Sequence, residues 1–270
     1  MKDKGSIRKF QRTVWNFYRK HKRTLPWRET ADPYKILISE VMLQQTQADR
    51  VVPYYQKWIK RFPSFASLAT ASFSEIYPLW QGLGYNRRAL GLQKLAQEVT
   101  ARYSGKLPED IILLEKLPSI GPYTARAVSI FSRNRPIVCL ETNIRRVFIH
   151  HFFERQEAVS DEEILPLLGE ALPQKKSREW HWALMDYGAH LKGTVLNPNR
   201  RRKDYTVQSK FEGSVRQIRG MILKNLASGM MSKVQLAKSS GKASQEIVPT
   251  LATLVKEGFL EYKNKKYSLT

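Results

Sequence analysis

Leu117-Pro-Ser-Ile-Gly-Pro-Tyr-Thr-Ala-Arg-Ala127 is the stretch on which the fold turns. An apolar-Pro entry leads into Ile120-Gly121, and Pro122 suits the first position of a helix, where a missing N–H costs nothing. Gly121 can take a positive φ and lets the backbone come close to a ligand. Free N–H groups at such a helix start form a cradle for a phosphate. Taken alone, the same residues also describe an ordinary turn between two helices.

Outward from that hairpin, the chain up to about residue 198 reads as short amphipathic helices punctuated by Pro and Gly. Predicted helices run over Pro33–Gln47, Ser64–Ala71, Ser74–Gln81, Arg87–Tyr103 and Glu162–Leu172, several preceded by Asp or Ser suited to an N-cap. Strand alternation is nearly absent, so this part is expected to be all-α. Asn197-Pro-Asn-Arg-Arg-Arg-Lys-Asp204 makes a poor helix interior and reads as an exposed basic linker. Beyond it the grammar changes. Helices are predicted over Ser214–Leu226, Ser232–Ser239 and Gln245–Glu257, with Pro249 in the first turn of the last or kinking it. Phe259, Glu261, Tyr267 and Leu269 then flank a polar turn, a β-hairpin pattern. Three helices and a hairpin describe a small winged helix, a module that binds DNA or serves protein contacts. The expected division is residues 1–198 as a helical domain, 199–213 as a basic linker and 214–270 as a winged-helix domain.

The 270 residues carry 46 Lys plus Arg against 24 Asp plus Glu, a formal charge of +22. Such a surplus favours a polyanion, because neutralising phosphates releases condensed counterions; a solvated basic surface or anionic lipid would use it too. Apolar runs are too short and interrupted for a transmembrane helix, and the basic N-terminus lacks the apolar core of a secretory signal. The expected location is cytoplasmic, at the nucleoid. The single cysteine, Cys139, lies in the apolar Pro136-Ile-Val-Cys-Leu140 and reads as a buried thiol. One thiol excludes an intramolecular disulfide, a cysteine-based zinc site and an iron–sulfur cluster.

The hairpin resembles that of the helix-hairpin-helix DNA glycosylases, of the form Leu-Pro-x-x-Gly-x-x-Thr-Ala. The resemblance implies that Ile120, Gly121, Tyr123 and Thr124 hold the DNA backbone. Its endonuclease III branch carries, before the Thr, a Lys that attacks the sugar and cuts the strand. Here Tyr123 stands there and cannot form that Schiff base, which implies a monofunctional enzyme. Four further pieces resemble the MutY family of adenine glycosylases: Leu25-Pro-Trp-Arg28 with Pro33-Tyr34, Ser39-Glu-Val-Met-Leu-Gln-Gln-Thr-Gln47, Trp80-Gln-Gly-Leu-Gly-Tyr85 and Ala183-Leu-Met-Asp-Tyr-Gly-Ala189. Together they cover roughly residues 7 to 191.

Cleaving an N-glycosidic bond builds positive charge on the sugar and negative charge on the leaving base, and two carboxyls in different environments serve both. By resemblance Glu40 is the general acid. Its apolar setting, Ile36-Leu-Ile-Ser-Glu-Val-Met-Leu43, is expected to raise its pKa. Glu141 is the second carboxyl where the family usually has Asp; the extra methylene displaces the carboxylate by about 1.5 Å unless the backbone compensates, which bears on the rate. Asn143 matches the family's sugar- or water-positioning Asn. Trp27 and Arg28 resemble residues near the flipped adenine. Gln44, Leu83 and Tyr85 resemble those that wedge into the duplex and fill the gap opposite, and Gln45, Thr46 and Gly84 beside them are expected to contact DNA.

The chain also departs from the family. Lys192 stands where the first of four cluster-binding cysteines would fall, so the 4Fe–4S cluster is expected to be absent. The family's Nudix-like C-terminal domain, which senses 8-oxoguanine, is expected to be absent, with the winged helix in its place. The expected protein is a monomeric glycosylase without cofactor or metal, acting on double-stranded DNA with adenine opposite guanine or 8-oxoguanine, and making no membrane contact. Three other readings remain open: release of thymine or uracil opposite guanine on the same scaffold, since related mismatch glycosylases also carry a Tyr at the place of Tyr123; a non-catalytic DNA-binding protein; and a winged-helix regulator.

Overall fold

The computed structural model describes residues 4–204, 206 and 210–270. In chain order its helices are α1 (Lys4–His21), α2 (Pro33–Leu43), α3 (Ala48–Arg61), α4 (Phe65–Ala69), α5 (Phe73–Trp80), α6 (Arg87–Tyr103), α7 (Ile111–Glu115), α8 (Pro122–Arg133), α9 (Thr142–Phe152), α10 (Asp161–Ala171), α11 (Ser177–Thr194), α12 (Val215–Leu226), α13 (Lys233–Ser240) and α14 (Ser244–Glu257). Three strands, β1 (Met231–Ser232), β2 (Leu260–Lys263) and β3 (Lys266–Leu269), form one antiparallel sheet in the order β1-β3-β2. The expectation of a mainly helical chain with a small C-terminal α+β part is met.

Local sequence explains many boundaries. Ser72 and Glu75 form a reciprocal capping box at α5 and Ser232 and Gln235 one at α13, while at α10 Glu163 accepts from the Ser160 amide. Asp110 caps α7 by accepting from the N–H groups of Ile112 and Leu113. α14 begins at Ser244, one residue before its expected start, so Pro249 falls in the second turn rather than the first.

The chain divides into two compact units. The first holds Met1–Glu40, Pro108–Lys116 and Ile120–Val207; the second holds Val41–Leu107, Leu117–Ser119 and Gln208–Thr270. In the first unit Ile7, Phe10 and Val14 line one face of α1 and pack with residues of α9, α10 and α11. The Phe10 ring meets Phe148, Phe152 and Trp180 edge-on, at 5.1, 4.9 and 6.0 Å. Burying a side chain of this size contributes roughly 1.5–3 kcal/mol. This packing seats α9, whose N-cap residue is Glu141, in the core of the first unit. In the second unit Trp58 packs edge-on against Phe62 and Trp80, and Phe73 against Phe259 at 5.2 Å. Glu257 at the end of α14 pairs with both Arg87 and Arg219.

Two further expectations are corrected, and one strand appears that the sequence did not suggest. Gly121 does not use a positive φ: it caps α8 at φ −96, and the left-handed residue of the hairpin is Ser119 at φ 62. A Cβ at Gly121 would meet nothing within 4 Å, so the glycine leaves open space rather than making a turn possible. The exposed-linker reading of Asn197 through Asp204 holds for Arg200, Lys203 and Asp204 but fails at Pro198 and Asn199. Pro198–Arg201 is a 3₁₀ turn with Pro198 and Asn199 buried, because the two Asn side chains find partners on α9 and its neighbours. Finally, β1 has no alternation to betray it: two residues between helices pair with Lys266 and Tyr267.

Candidate active site

The hairpin helix α8, the N-terminus of α9 and the end of the first unit's share of α2 supply the candidate chemistry. α2 is apolar on nearly every face, with Ile36, Leu37, Ile38, Val41 and Met42 at 2% exposure or less. Such a helix is a core element, and it carries Glu40 into the interior, where that residue is 6% exposed. Tyr123, in the first turn of α8, donates from Oη to Glu40 Oε2 at 2.9 Å. Burial, reinforced by the negative charge of Glu141, pushes the Glu40 pKa up to about 7 against the smaller opposing effects of Tyr123 and Arg28. The Tyr123 hydroxyl itself is pushed far up by burial and the Glu40 charge, so it stays a donor.

Glu141 is differently held. Its Oε1 accepts from the N–H groups of Asn143 and Ile144, both at 2.8 Å, and its Oε2 from Asn143 Nδ2 at 3.2 Å. Burial raises its pKa, opposed by those two amides and by Arg146 and Arg145. Because donors face both oxygens, the carboxylate form is the one this geometry accommodates. The Glu141 side chain turns onto the first amides of its own helix as an N-cap.

Arg28 ends the turn Pro26–Arg28 and makes two parallel bonds to Asp186, Nη1 to Oδ2 and Nη2 to Oδ1, each 2.8 Å. Arg23 adds a third contact to the same carboxylate, Nε to Oδ1 at 2.6 Å. The Arg28 guanidinium also sits 5.4 Å from the centroid of the Trp182 ring. Asp186 belongs to the quoted Ala183–Ala189 motif, but its role as the anchor of Arg28 has no signal in sequence spacing. Trp27 is buried at 5% exposure beside Arg28 in the chain. Of the hairpin residues, Ile120 and Thr124 are buried and Gly121 is exposed; no side chain caps the first amides of α8.

Gly188 lies against α9. A Cβ there would stand 2.2 Å from the Asn143 carbonyl oxygen. Gly188→Ala is therefore expected to force the first turn of α9 outward, cost about 1–3 kcal/mol in a thermal or urea melt and slow turnover, because the displaced turn carries Glu141 and Asn143.

In the second unit, Gln44, Gln45 and Thr46 follow α2, and Leu83, Gly84 and Tyr85 follow α5. Gln45 and Tyr85 are exposed, whereas Leu83 is buried at 6%. Arg88, unremarked in the sequence, ties the two segments together. Its Nη1 donates to the carbonyls of Val41 and Gln44 at 2.5 and 2.8 Å, and its Nη2 to those of Leu83 and Gly84 at 3.3 and 3.2 Å. Gln45 and Tyr85 hold left-handed φ values of 59 and 48, a strain that persists only where the surroundings over-determine it.

The family resemblance implies a 4Fe–4S cluster after α11, and the residues do not fit one. Cluster irons are held by thiolates. Val195-Leu-Asn-Pro-Asn-Arg-Arg-Arg-Lys203 contains no cysteine. Cys139 is 3% exposed, lies against the Tyr123 carbonyl, and has its thiol pKa raised by burial. Among the described residues no group of three or more His, Cys, Asp or Glu is placed to hold a metal ion. Nor is any described helix long and apolar enough to cross a membrane.

A buried protonatable carboxyl that feels the charge of a second carboxyl is an arrangement suited to splitting glycosidic bonds. The model of HhH-GPD superfamily base excision DNA repair proteins matches residues 38–174, and the chain belongs to that superfamily. Among its relatives are the adenine DNA glycosylase of Buchnera aphidicola subsp. Baizongia pistaciae, 38% identical over 182 residues, and that of Mycobacterium tuberculosis, 37% identical over 181. The matches cover 67% and 64% of this chain but only 52% and 58% of those relatives. A thermostable thymine-DNA glycosylase is similar in structure, with a TM-score of 0.62 and 29% identity over 68% of this chain and 87% of that one.

Proposed function

We propose that the chain is a monofunctional DNA glycosylase that binds double-stranded DNA as a monomer and releases adenine mispaired with guanine or 8-oxoguanine. The observation that carries this reading is the buried Glu40, hydrogen-bonded to Tyr123 and raised to a pKa of about 7, within electrostatic reach of Glu141. The target adenine leaves the stack and enters the site. Neutral Glu40 passes its proton to the purine, the C1′–N bond breaks with its electron pair staying on the base, and positive charge grows on the sugar. The Glu141 carboxylate, fixed on the first amides of α9, faces that charge. Water adds at C1′ and yields its proton to a carboxylate, leaving an abasic site. Tyr123 orients Glu40 and offers no amine for strand cleavage.

Around this centre, the uncapped first turn of α8 and the open face of Gly121 suit a backbone phosphate. Gln45 and Tyr85 suit insertion into the duplex. The helices and three strands of residues 215–269 support a winged-helix reading. A second reading, release of thymine opposite guanine, is favoured by the likeness to the thymine-DNA glycosylase.

The test is single-turnover base release from duplexes carrying A opposite 8-oxoguanine, A opposite G, T opposite G and U opposite G, with abasic sites revealed by alkali. Adenine release from the first two, without strand cleavage before alkali, is the expected result. Release from only the T or U duplexes would replace the substrate, and binding without release from any would end the enzymatic reading.

A further inference from the structure

Asn197 through Lys203 lies where a cysteine-ligated cluster does not fit, and it grips α9 at both ends. At the N-terminal end Asn199, 7% exposed, donates from Nδ2 to the Thr142 carbonyl at 2.9 Å. Asn197 Oδ1 accepts from Arg146 Nε at 3.0 Å and from the Asn199 amide at 3.3 Å. The same Arg146 donates from Nη1 to Asn143 Oδ1 and to the Gly188 carbonyl, both at 2.6 Å. Asn143 in turn reaches Glu141 Oε2 at 3.2 Å. At the far end of α9, Arg201 donates to the carbonyls of Phe153, Glu154 and Ile149, where the negative end of the helix dipole attracts a cation. The strap is closed by two backbone bonds, Val159 N–H to the Arg201 carbonyl at 2.8 Å and Lys203 N–H to the Val159 carbonyl at 3.0 Å.

We propose that Asn197–Lys203 is a metal-free clasp on α9, and that Asn197 and Asn199 are positioning residues for Glu141 and Asn143. The catalytic part of this rests on the glycosylase reading above. The Arg146 side chain is long and rotatable, and its pinning by Asn197 and the Gly188 carbonyl fixes the donor that Asn143 Oδ1 accepts from. Asn199 holds the carbonyl of the residue that separates Glu141 from Asn143. A clasp that loosens lets the carboxylate drift, and a displacement of about 1 Å can cost roughly 100-fold in rate.

The two asparagines act through opposite ends of the amide, which makes the test sharp. Asn197 serves as an acceptor, so Asn197→Asp keeps its bond to Arg146 and Asn197→Ala loses it. Asn199 serves as a donor toward Thr142, so the isosteric Asn199→Asp loses it as fully as Asn199→Ala. With the duplex carrying A opposite 8-oxoguanine, at a temperature well below every melting point, Asn197→Asp is expected within about twofold of the unaltered protein. The other three are expected to slow single-turnover release about 10- to 100-fold, while Kd for a duplex with an uncleavable adenine analogue stays within about twofold. Leu196→Ala, just before the segment and 79% exposed, leaves both unchanged. The second readout is independent of activity: hydrogen exchange at the Asn143 and Ile144 amides, which donate to Glu141, quickens in the three slow variants. If the unaltered protein releases no base yet these amides still lose protection, the glycosylase reading fails and the clasp stands. If protection is retained in Asn199→Asp, or if all four variants lose rate only in step with their melting points, the clasp is overturned.

Discussion

At pH 8, Glu40→Gln is expected to lose nearly all base release and yet melt higher than the unaltered protein. The rate loss follows from chemistry: a positioned general acid contributes about 10²- to 10⁴-fold, and an amide has no such proton to give. The gain in stability follows from linkage. Glu40 ionises near 4.5 when exposed and near 7 when folded. Between those values the unfolded chain has already released the proton that the folded chain keeps, so stability falls as pH rises, and above 7 the full cost remains. A rise of that size corresponds to about 3 kcal/mol. Gln carries no charge at any pH and its carbonyl can still accept from Tyr123. The variant should therefore match the unaltered protein near pH 4 and exceed it progressively to pH 8, as read from melts at several pH values. A difference independent of pH would mean that Glu40 is not buried as an acid. The unaltered protein's excision rate should also fall about tenfold per pH unit above 7, as the acid loses its proton.

How much of this was legible depended on how local the signal is. Glu40 could be read as buried because its immediate neighbours are apolar, and the structure places it so. Pro122 as a helix start, the Ser caps of several helices and the break at Gly241 are likewise short-range chemistry, and each is where the sequence puts it. The Gly121 conformation and the start of α14 are local failures; the larger ones are long-range. Asn197 to Lys203 has the composition of a solvated linker; only the carbonyls and the guanidinium of a helix some fifty residues earlier turn it into packed structure. Asp186 sits in a recognisable motif, but its partners Arg23 and Arg28 are about 160 residues away. Arg88 reads as one more cation on a basic helix until the carbonyls of two separate segments converge on it. That Glu141 would fold back onto the first amides of its own helix was not legible from its place in the sequence.

Removing the charge from the other buried carboxylate should have the opposite effect. Asp186→Asn is expected to destabilise the protein by about 3–5 kcal/mol, the scale for breaking one partner of a buried ion pair. The Asp186 side chain is 1% exposed and that of Arg28 is 7% exposed, so neither can turn to water when the other is lost. Burial alone would raise the Asp186 pKa, as it does for Glu40, but the bonds and charges of Arg28 and Arg23 outweigh it and hold it below the usual carboxylate value. Its contribution is therefore present above the unfolded pKa of 3.8 and is lost as pH falls through the lower folded value, the mirror image of Glu40. The difference between Asp186→Asn and the unaltered protein should be full at neutral pH and shrink in acid. A double-mutant cycle with Arg28→Met separates coupling from simple loss of packing. If Asp186 exists to hold Arg28, the double variant costs well below the sum of the two singles in urea titrations; additive costs would show the pair to be uncoupled. Base release should fall with Asp186→Asn even at temperatures where the protein stays folded, because Arg28, and Trp27 next to it in the chain, then lose the carboxylate that fixes their turn. Two buried carboxylates within one unit thus answer the same chemical change with opposite signs, since one lies among apolar groups and the other between two guanidinium groups.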